Sequence, residues 1–305
     1  MTQFLQQLVN GTVLGATYAL IALGYTMVYG IIQLINFAHG EVFMVGAFAG
    51  LAAYRYLLPE QGTSNLLLVL PLVMLAAIVA SVLAAVLMER FAYRPLRNAP
   101  RLAPLITAIG VSIFLQEVVR LFYPGGRRAQ PFPQLITGPN LEVGGVVVAR
   151  VSVFLVVVAL VLMVALQAFV RRSRTGKAMR ATAQDPDTAR LMGIDTDRIV
   201  LVSFVLGAVL AAVAGVLHGM RFSQIDFRIG FIGGLKAFTA AVLGGIGNIA
   251  GAVYGGFLLG VVEALATQYV PSGSSWKDVW AFVVLIAVLV FRPTGLLGER
   301  VRARA

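Results

Sequence analysis

Few side chains in this sequence could do chemistry, and most of them interrupt apolar stretches. "LINFAHGE", Leu34 to Glu41, carries one of two histidines beside a glutamate and breaks an apolar run from Phe4 to Tyr54. "GGIGNIAGAVYGG" breaks a run of small residues at Gly247-Asn248. Asparagine is a preferred helix N-cap because its side-chain oxygen accepts from free N–H groups of the first turn. Asn36 is therefore expected to start a helix over 37–54, with Glu41 near the positive end of its dipole. Asn248 is expected to start another from Ile249. The fragments "N-F-A" at 36–38 and "N-I-A" at 248–250 stand in corresponding places. Paired interrupted segments of this kind point to a transporter site at a repeat interface. Helix N-termini aimed inward suit a carboxylate or other polar solute. On that reading Asn36, Ala38, His39, Glu41, Asn248 and Ala250 line a substrate path. The alternative is that Asn36, His39 and Glu41 only satisfy one another at a helix crossing.

Other ionisable groups read as structural. Glu117 and Arg120 are three apart and pair on one helix face. His218 and Lys236 are expected near membrane interfaces, where long side chains snorkel. Glu263, inside "LLGVVEALATQ", must face the protein interior, with neighbouring backbone as its expected partner. Enzymatic chemistry finds no footing. Gly176-Lys177 lacks the preceding glycine of a phosphate-binding loop and is followed by Ala178, and there is no H-E-x-x-H or nucleophile elbow. Without cysteine there is neither a disulfide nor a thiolate metal site. No catalytic site, metal or cofactor is expected in this chain.

The elements that must position these residues are membrane helices. Of 305 residues, 59% are hydrophobic and 12% charged, about half the charged share of a soluble domain. Nearly uncharged apolar runs long enough to cross a bilayer recur from end to end. Spans are predicted near 5–23, 24–54 (broken), 66–88, 103–123, 151–170, 199–220, 234–247, 250–270 and 278–291. The fold class is all-α: one polytopic transmembrane domain over 1–305, with about eight to ten spans and interrupted helices. The start, "MTQFLQQLVNG", lacks the basic opening of a signal peptide and reads as part of a retained span.

The net charge is +11, and fifteen of the 24 basic residues fall in three segments: Arg90–Arg101, Arg171–Arg198 and Arg292–Arg304. The positive-inside rule places these segments, and so the C-terminus, in the cytoplasm. No basic soluble domain exists to present this charge to nucleic acid. Within 171–198, Asp185-Pro186 marks a helix start and Gly193 its end. A helix of about seven residues is too short to stand alone and needs a partner surface. Ala189, Leu191 and Met192 would enter a groove of another protein. The alternative is a solvated loop.

"GKAMRATAQDPDTARLMGIDTDRI" resembles the cytoplasmic coupling segment of ABC importer permeases of the branched-chain amino acid class. "INFAHGE", "GGLKAFTAAVLGGIGNIAGAVYGG" and "RPTGLLGE" look like the same family's other signatures, and the similarity runs over essentially the whole chain. The LivH-type subunit is the nearest match. The segment departs from the longer Glu-Ala-Ala form of other importers, having Ala181-Thr182-Ala183 where that form would begin.

The resemblance implies a permease of the bacterial inner membrane, working as a heterodimer with a second, homologous permease. It also implies two cytoplasmic ATP-binding subunits and an external solute-binding protein. Asp185, Ala189, Leu191, Gly193 and Ile194 would then couple to the ATPases. Rival readings are the same machine for urea or short amides, and a proton-coupled carrier using His39, Glu41 or Glu263. A non-transporting scaffold would leave the interrupted helices unexplained.

Overall fold

The computed structural model describes residues 1–34, 36–57, 66–97, 99–100, 102–292 and 294–298. Arg101, Arg300, Arg302 and Arg304 of the basic segments lie outside the described residues. Eleven α-helices are described, and they carry the fold. They are α1 (Thr2–Ile32), α2 (His39–Leu57), α3 (Leu66–Met88), α4 (Leu102–Phe122), α5 (Arg150–Arg172), α6 (Arg174–Gln184), α7 (Pro186–Leu191), α8 (Thr196–Phe222), α9 (Ile229–Gly244), α10 (Ile249–Tyr269) and α11 (Lys277–Phe291). Among the described residues, α1, α3, α4, α5, α8 and α10 are long and apolar enough to cross a membrane, and α9 is a shorter apolar helix. The chain is a polytopic helical membrane protein. Strands are limited to short antiparallel pairs, β1 (Gln130–Pro131) with β4 (Gln224–Ile225) and β2 (Leu141–Val143) with β3 (Val146–Val148).

Helix α1 runs unbroken through 23–24, where the sequence suggested a division between spans. It is apolar on all sides and forms the axis of the bundle, as an all-round hydrophobic helix must. Small residues seat it against antiparallel α10: a Cβ at Gly15 would stand 2.6 Å from the Phe257 Cα, and one at Gly11 the same distance from the Val261 Cα. Without an apolar solvent effect between helices in lipid, such close backbone approach supplies the packing energy. Helices α3, α4 and α5 are peripheral, with only 17–22% of their apolar windows buried.

The break falls at 33–38. Gln33 takes a left-handed conformation (φ 51°) and its N–H caps the Tyr29 carbonyl, ending α1. Helix α2 starts at His39, not Phe37. The second break separates α9 from α10, with Gly245 and Gly247 at φ 103° and 93°. There Leu296 and Leu297 donate backbone N–H groups to the carbonyls of Leu243 and Gly244, at 2.8 and 3.0 Å. Leu296 and Leu297 thus satisfy the open C-terminal end of α9.

Two ends of the bundle are distinguishable. Arg94 and Arg97 both pair with Asp197, and Arg97 also with Glu89, so two of the basic segments share one end. At the other end, Gln6 donates to the Val147 carbonyl (2.9 Å) and Gln7 bonds Gln268 (3.2 Å).

Candidate functional site

The first turn of α2 lies inside the protein. Asn36, Ala38, His39 and Glu41 are each at most 2% exposed. Glycines make room for them: a Cβ at Gly24 would stand 2.2 Å from His39 Nε2, and one at Gly40 2.2 Å from the Gly230 carbonyl oxygen. Gly230 belongs to the first turn of α9, so the N-terminal turns of α2 and α9 meet backbone to backbone.

Glu41 lies at this junction. Its Oε1 accepts from the Ser112 hydroxyl and the Gln116 amide of α4, each at 2.9 Å. Its Oε2 faces Gly230 and is buried with no hydrogen-bond partner. Among the described residues no salt bridge reaches it. Two helix N-termini are its nearest sources of positive potential. Around it, His39 Nε2 and Asn36 Nδ2 are also buried without a hydrogen-bond partner, and the Tyr25 hydroxyl is buried against the Gly40 backbone. A buried polar atom left without a partner costs about 1–3 kcal/mol. Three in one neighbourhood are unusual for a purely structural crossing, and they combine donor capacity with a carboxylate acceptor.

Asn36 does not cap α2. Its Oδ1 accepts from the Tyr93 hydroxyl at 2.8 Å, because the helix begins two residues later than the sequence suggests and its first N–H groups are out of reach. Asn248 does cap: its Oδ1 accepts from the Gly251 N–H at 3.0 Å, and its Nδ2 donates to the Leu297 carbonyl at 2.9 Å. Asn248 and Ala250 are half-buried, and the two asparagines have different partners.

A second buried polar group joins four helices. Glu263 of α10 accepts from the Tyr18 hydroxyl of α1 (2.9 Å) and pairs with Lys236 of α9 (2.6 Å), which also pairs with Asp278 of α11 (2.6 Å). Lys236 does not snorkel to an interface, and the Glu263 carboxylate takes side-chain rather than backbone partners. A salt bridge 27 residues apart leaves no periodic signal in the sequence.

At the basic end, Asp185 Oδ1 accepts from the N–H groups of Asp187 and Thr188 at 3.1 Å, Pro186 opens α7, and Gly193 closes it at φ 82°. The preceding helix α6, capped by Ser173 onto Gly176, was not apparent from composition. Ala189 is 3% exposed and packed within the chain itself, whereas Leu191 and Met192 are 87% and 78% exposed. Ile194 is partly buried against the core, its N–H donated to the Ala189 carbonyl.

A family model described as "Branched-chain amino acid transport system / permease component" matches residues 7–289. The chain belongs to this permease family. It is 50% identical over 302 residues to the high-affinity branched-chain amino acid transport system permease protein BraD of Pseudomonas aeruginosa, covering 97% of this chain and 96% of that one. It is 48% identical to LivH of Escherichia coli, a permease protein of the same named system, again over 97% and 96% of the two chains. A probable branched-chain amino acid transport permease protein of Methanocaldococcus jannaschii is 29% identical, with 92% and 88% covered.

For a permease, the geometry separates the residues that the sequence grouped. Asn36, Ala38, His39 and Glu41 form one enclosed polar site, while Asn248 and Ala250 mark a different helix start. Sequence reasoning missed Tyr25, Tyr93, Ser112, Gln116 and Gly230. Gln116, a polar residue one position from Glu117 in an apolar span, was the one visible signal.

Proposed function

We infer that the chain is a membrane-spanning permease subunit of an ATP-driven importer for branched-chain amino acids in the bacterial inner membrane. Two ATP-binding subunits dock at the basic end, which faces the cytoplasm together with the C-terminus. A second permease subunit and an external solute-binding protein complete the machine. The observation that carries this reading is α7. Leu191 and Met192 are large, apolar and almost fully exposed, at the end of a six-residue helix that is capped by Asp185 and stands among basic residues. Lipid does not reach them on this reading, so a protein groove is the fitting environment. Gly193 and Asp185 hold the helix in shape; Ala189 anchors it to the permease and does not itself enter the groove.

The substrate path passes the α2–α9 junction, where Asn36, His39 and Glu41 present unbonded polar atoms. Ala38 and Glu41 are fully buried, so the path is shut at that level in this conformation. Opening it requires the glycine contact between α2 and α9 to part.

Leu191→Asp and Met192→Asp test the docking. Both should leave the permease folded, since neither side chain packs within it, and both should release the ATPase subunits on purification and abolish leucine uptake in reconstituted vesicles. Full co-purification and uptake with both substitutions would show α7 to be a solvated loop.

A further inference from the structure

We propose that a cavity at the N-terminal end of the bundle holds the phosphate headgroup of an anionic phospholipid. The cavity, of about 320 Å³, lies between the start of α5, the end of α8 and the loop before β2, and its lining includes Gln134, Thr137, Asn140, Arg150 and Arg221. Among the described residues no aspartate or glutamate lines it. Among the described residues neither arginine has a carboxylate partner.

Arg150 is held in place by its Nε, which donates to the Pro139 carbonyl at 3.1 Å. Gly138 makes room for its guanidinium: the backbone there has φ 138°, and a Cβ would stand 2.8 Å from Arg150 Nη1. Arg221 Nε is buried and unbonded, with the Phe222 ring 5.8 Å from the guanidinium carbon. Two guanidiniums on one cavity repel each other unless an anion lies between them. Their forked donors match phosphate oxygens. Helix α5 also begins here without a capping side chain or an acidic residue in its first turn, so its dipole acts in the same direction.

Two observations favour a lipid over a free anion. Fifteen of the 24 basic residues lie in the three basic segments, so arginines at the other end run against the general bias. Below Arg150 on the same helical face, Val153, Val157, Val161 and Val164 follow at three- and four-residue spacing and are 39%, 51%, 58% and 58% exposed. A headgroup in the cavity would lay its acyl chains along this apolar stripe, whereas a soluble anion would leave the stripe unused.

The test is native mass spectrometry of the full chain in detergent, titrated with phosphatidylglycerol or phosphatidylcholine of identical acyl chains. The wild type should retain phosphatidylglycerol selectively. Arg150→Gln with Arg221→Gln should weaken that retention about tenfold or more, and the double lysine variant should keep an intermediate share, which guards against a folding artefact. Val157→Glu should weaken retention without touching the cavity. Equal retention of the two lipids, or retention unchanged by the double glutamine variant, would overturn the proposal. Displacement of phosphatidylglycerol by millimolar phosphate or leucine, with Val157→Glu behaving as wild type, would assign the cavity to a soluble anion instead.

Discussion

Glu41 and Glu263 are both at most 4% exposed inside a membrane bundle, yet their surroundings differ in kind. Glu263 has a cation at 2.6 Å and a tyrosine hydroxyl at 2.9 Å, so both oxygens are engaged. Glu41 has two neutral donors on one oxygen and none on the other. A charge paired in this way holds helices together. A carboxyl left half-bonded beside two other unpartnered polar atoms costs stability, and a cost maintained in a core is a candidate for function. On the proposed reading, the difference is that between a structural clamp and a substrate path within one chain.

The sharpest way to break that comparison is to remove the clamp. Glu263→Gln leaves Lys236 with only the half-exposed Asp278 and should destabilise the protein by about 3–5 kcal/mol, the usual cost of orphaning one partner of a buried pair. Lys236→Met should cost a similar amount, and the double Lys236→Met, Glu263→Met variant should recover much of the loss. Unfolding in detergent, followed by helical circular dichroism, measures all three. Additive losses in the double variant would show that the two residues act independently and that no clamp exists.

Next in size is the glycine contact that brings α9 onto Glu41. Gly40→Ala places a methyl group 2.2 Å from the Gly230 carbonyl oxygen. Overpacking of this sort costs about 1–3 kcal/mol, and here it should also push α2 from α9. The expected result is lower stability together with faster labelling of a cysteine placed at Ala38, which has no native cysteine background. Unchanged labelling would mean that α2 and α9 do not part along this seam.

The two asparagines sharpen the comparison on a smaller scale. Asn248→Ala removes a helix cap and should cost about 0.5–2 kcal/mol. Asn36→Ala removes one hydrogen bond from Tyr93, worth about 0.5–1.5 kcal/mol, and also removes an unbonded buried Nδ2, so its net cost should be the smaller. Thermal midpoints of the two variants in the same detergent give the order directly.

These asparagines also show what was legible from the sequence. Chain breaks announce themselves locally, through Asn, Gly and charge within apolar runs, and both breaks lie within a few residues of their expected places. The cap, proline and glycine of α7 were legible for the same reason. What a side chain does at a break depends on which helix returns beside it. Asn36 had the right type for a cap but meets Tyr93, 57 residues away. Lys236 had the right length to snorkel but faces Glu263. Ala189 had an apolar side chain that reads equally well as a docking residue or as an anchor, and only the packing of α7 on its own chain decides. Such long-range contacts decide what a side chain does, which is why type and spacing mark a polar residue in an apolar run and not its partners.

The smallest expected effect on stability comes from Glu41→Gln, and it is the most telling. Glutamine keeps an oxygen for Ser112 and Gln116 and replaces the bare Oε2 with an N–H₂ group. The Gly40 carbonyl oxygen borders the same space, since a Cβ on Gly230 would stand 2.2 Å from Oε2 and 2.8 Å from that oxygen. The substitution therefore keeps the shape of the side chain and its bonded oxygen and removes only the charge, and the folded state should change by no more than about 1 kcal/mol in either direction. If the junction serves only as packing, transport should be equally indifferent. If it is part of the substrate path, removing the carboxylate takes away an acidic group that could face a zwitterion's ammonium there, and leucine uptake by the assembled importer should fall about tenfold or more. ATPase co-purification should be unaffected, because α7 lies at the basic end on another part of the chain. Unchanged uptake with unchanged stability would reduce Glu41 to a tolerated polar residue at a helix crossing, and the contrast with Glu263 would lose its functional meaning.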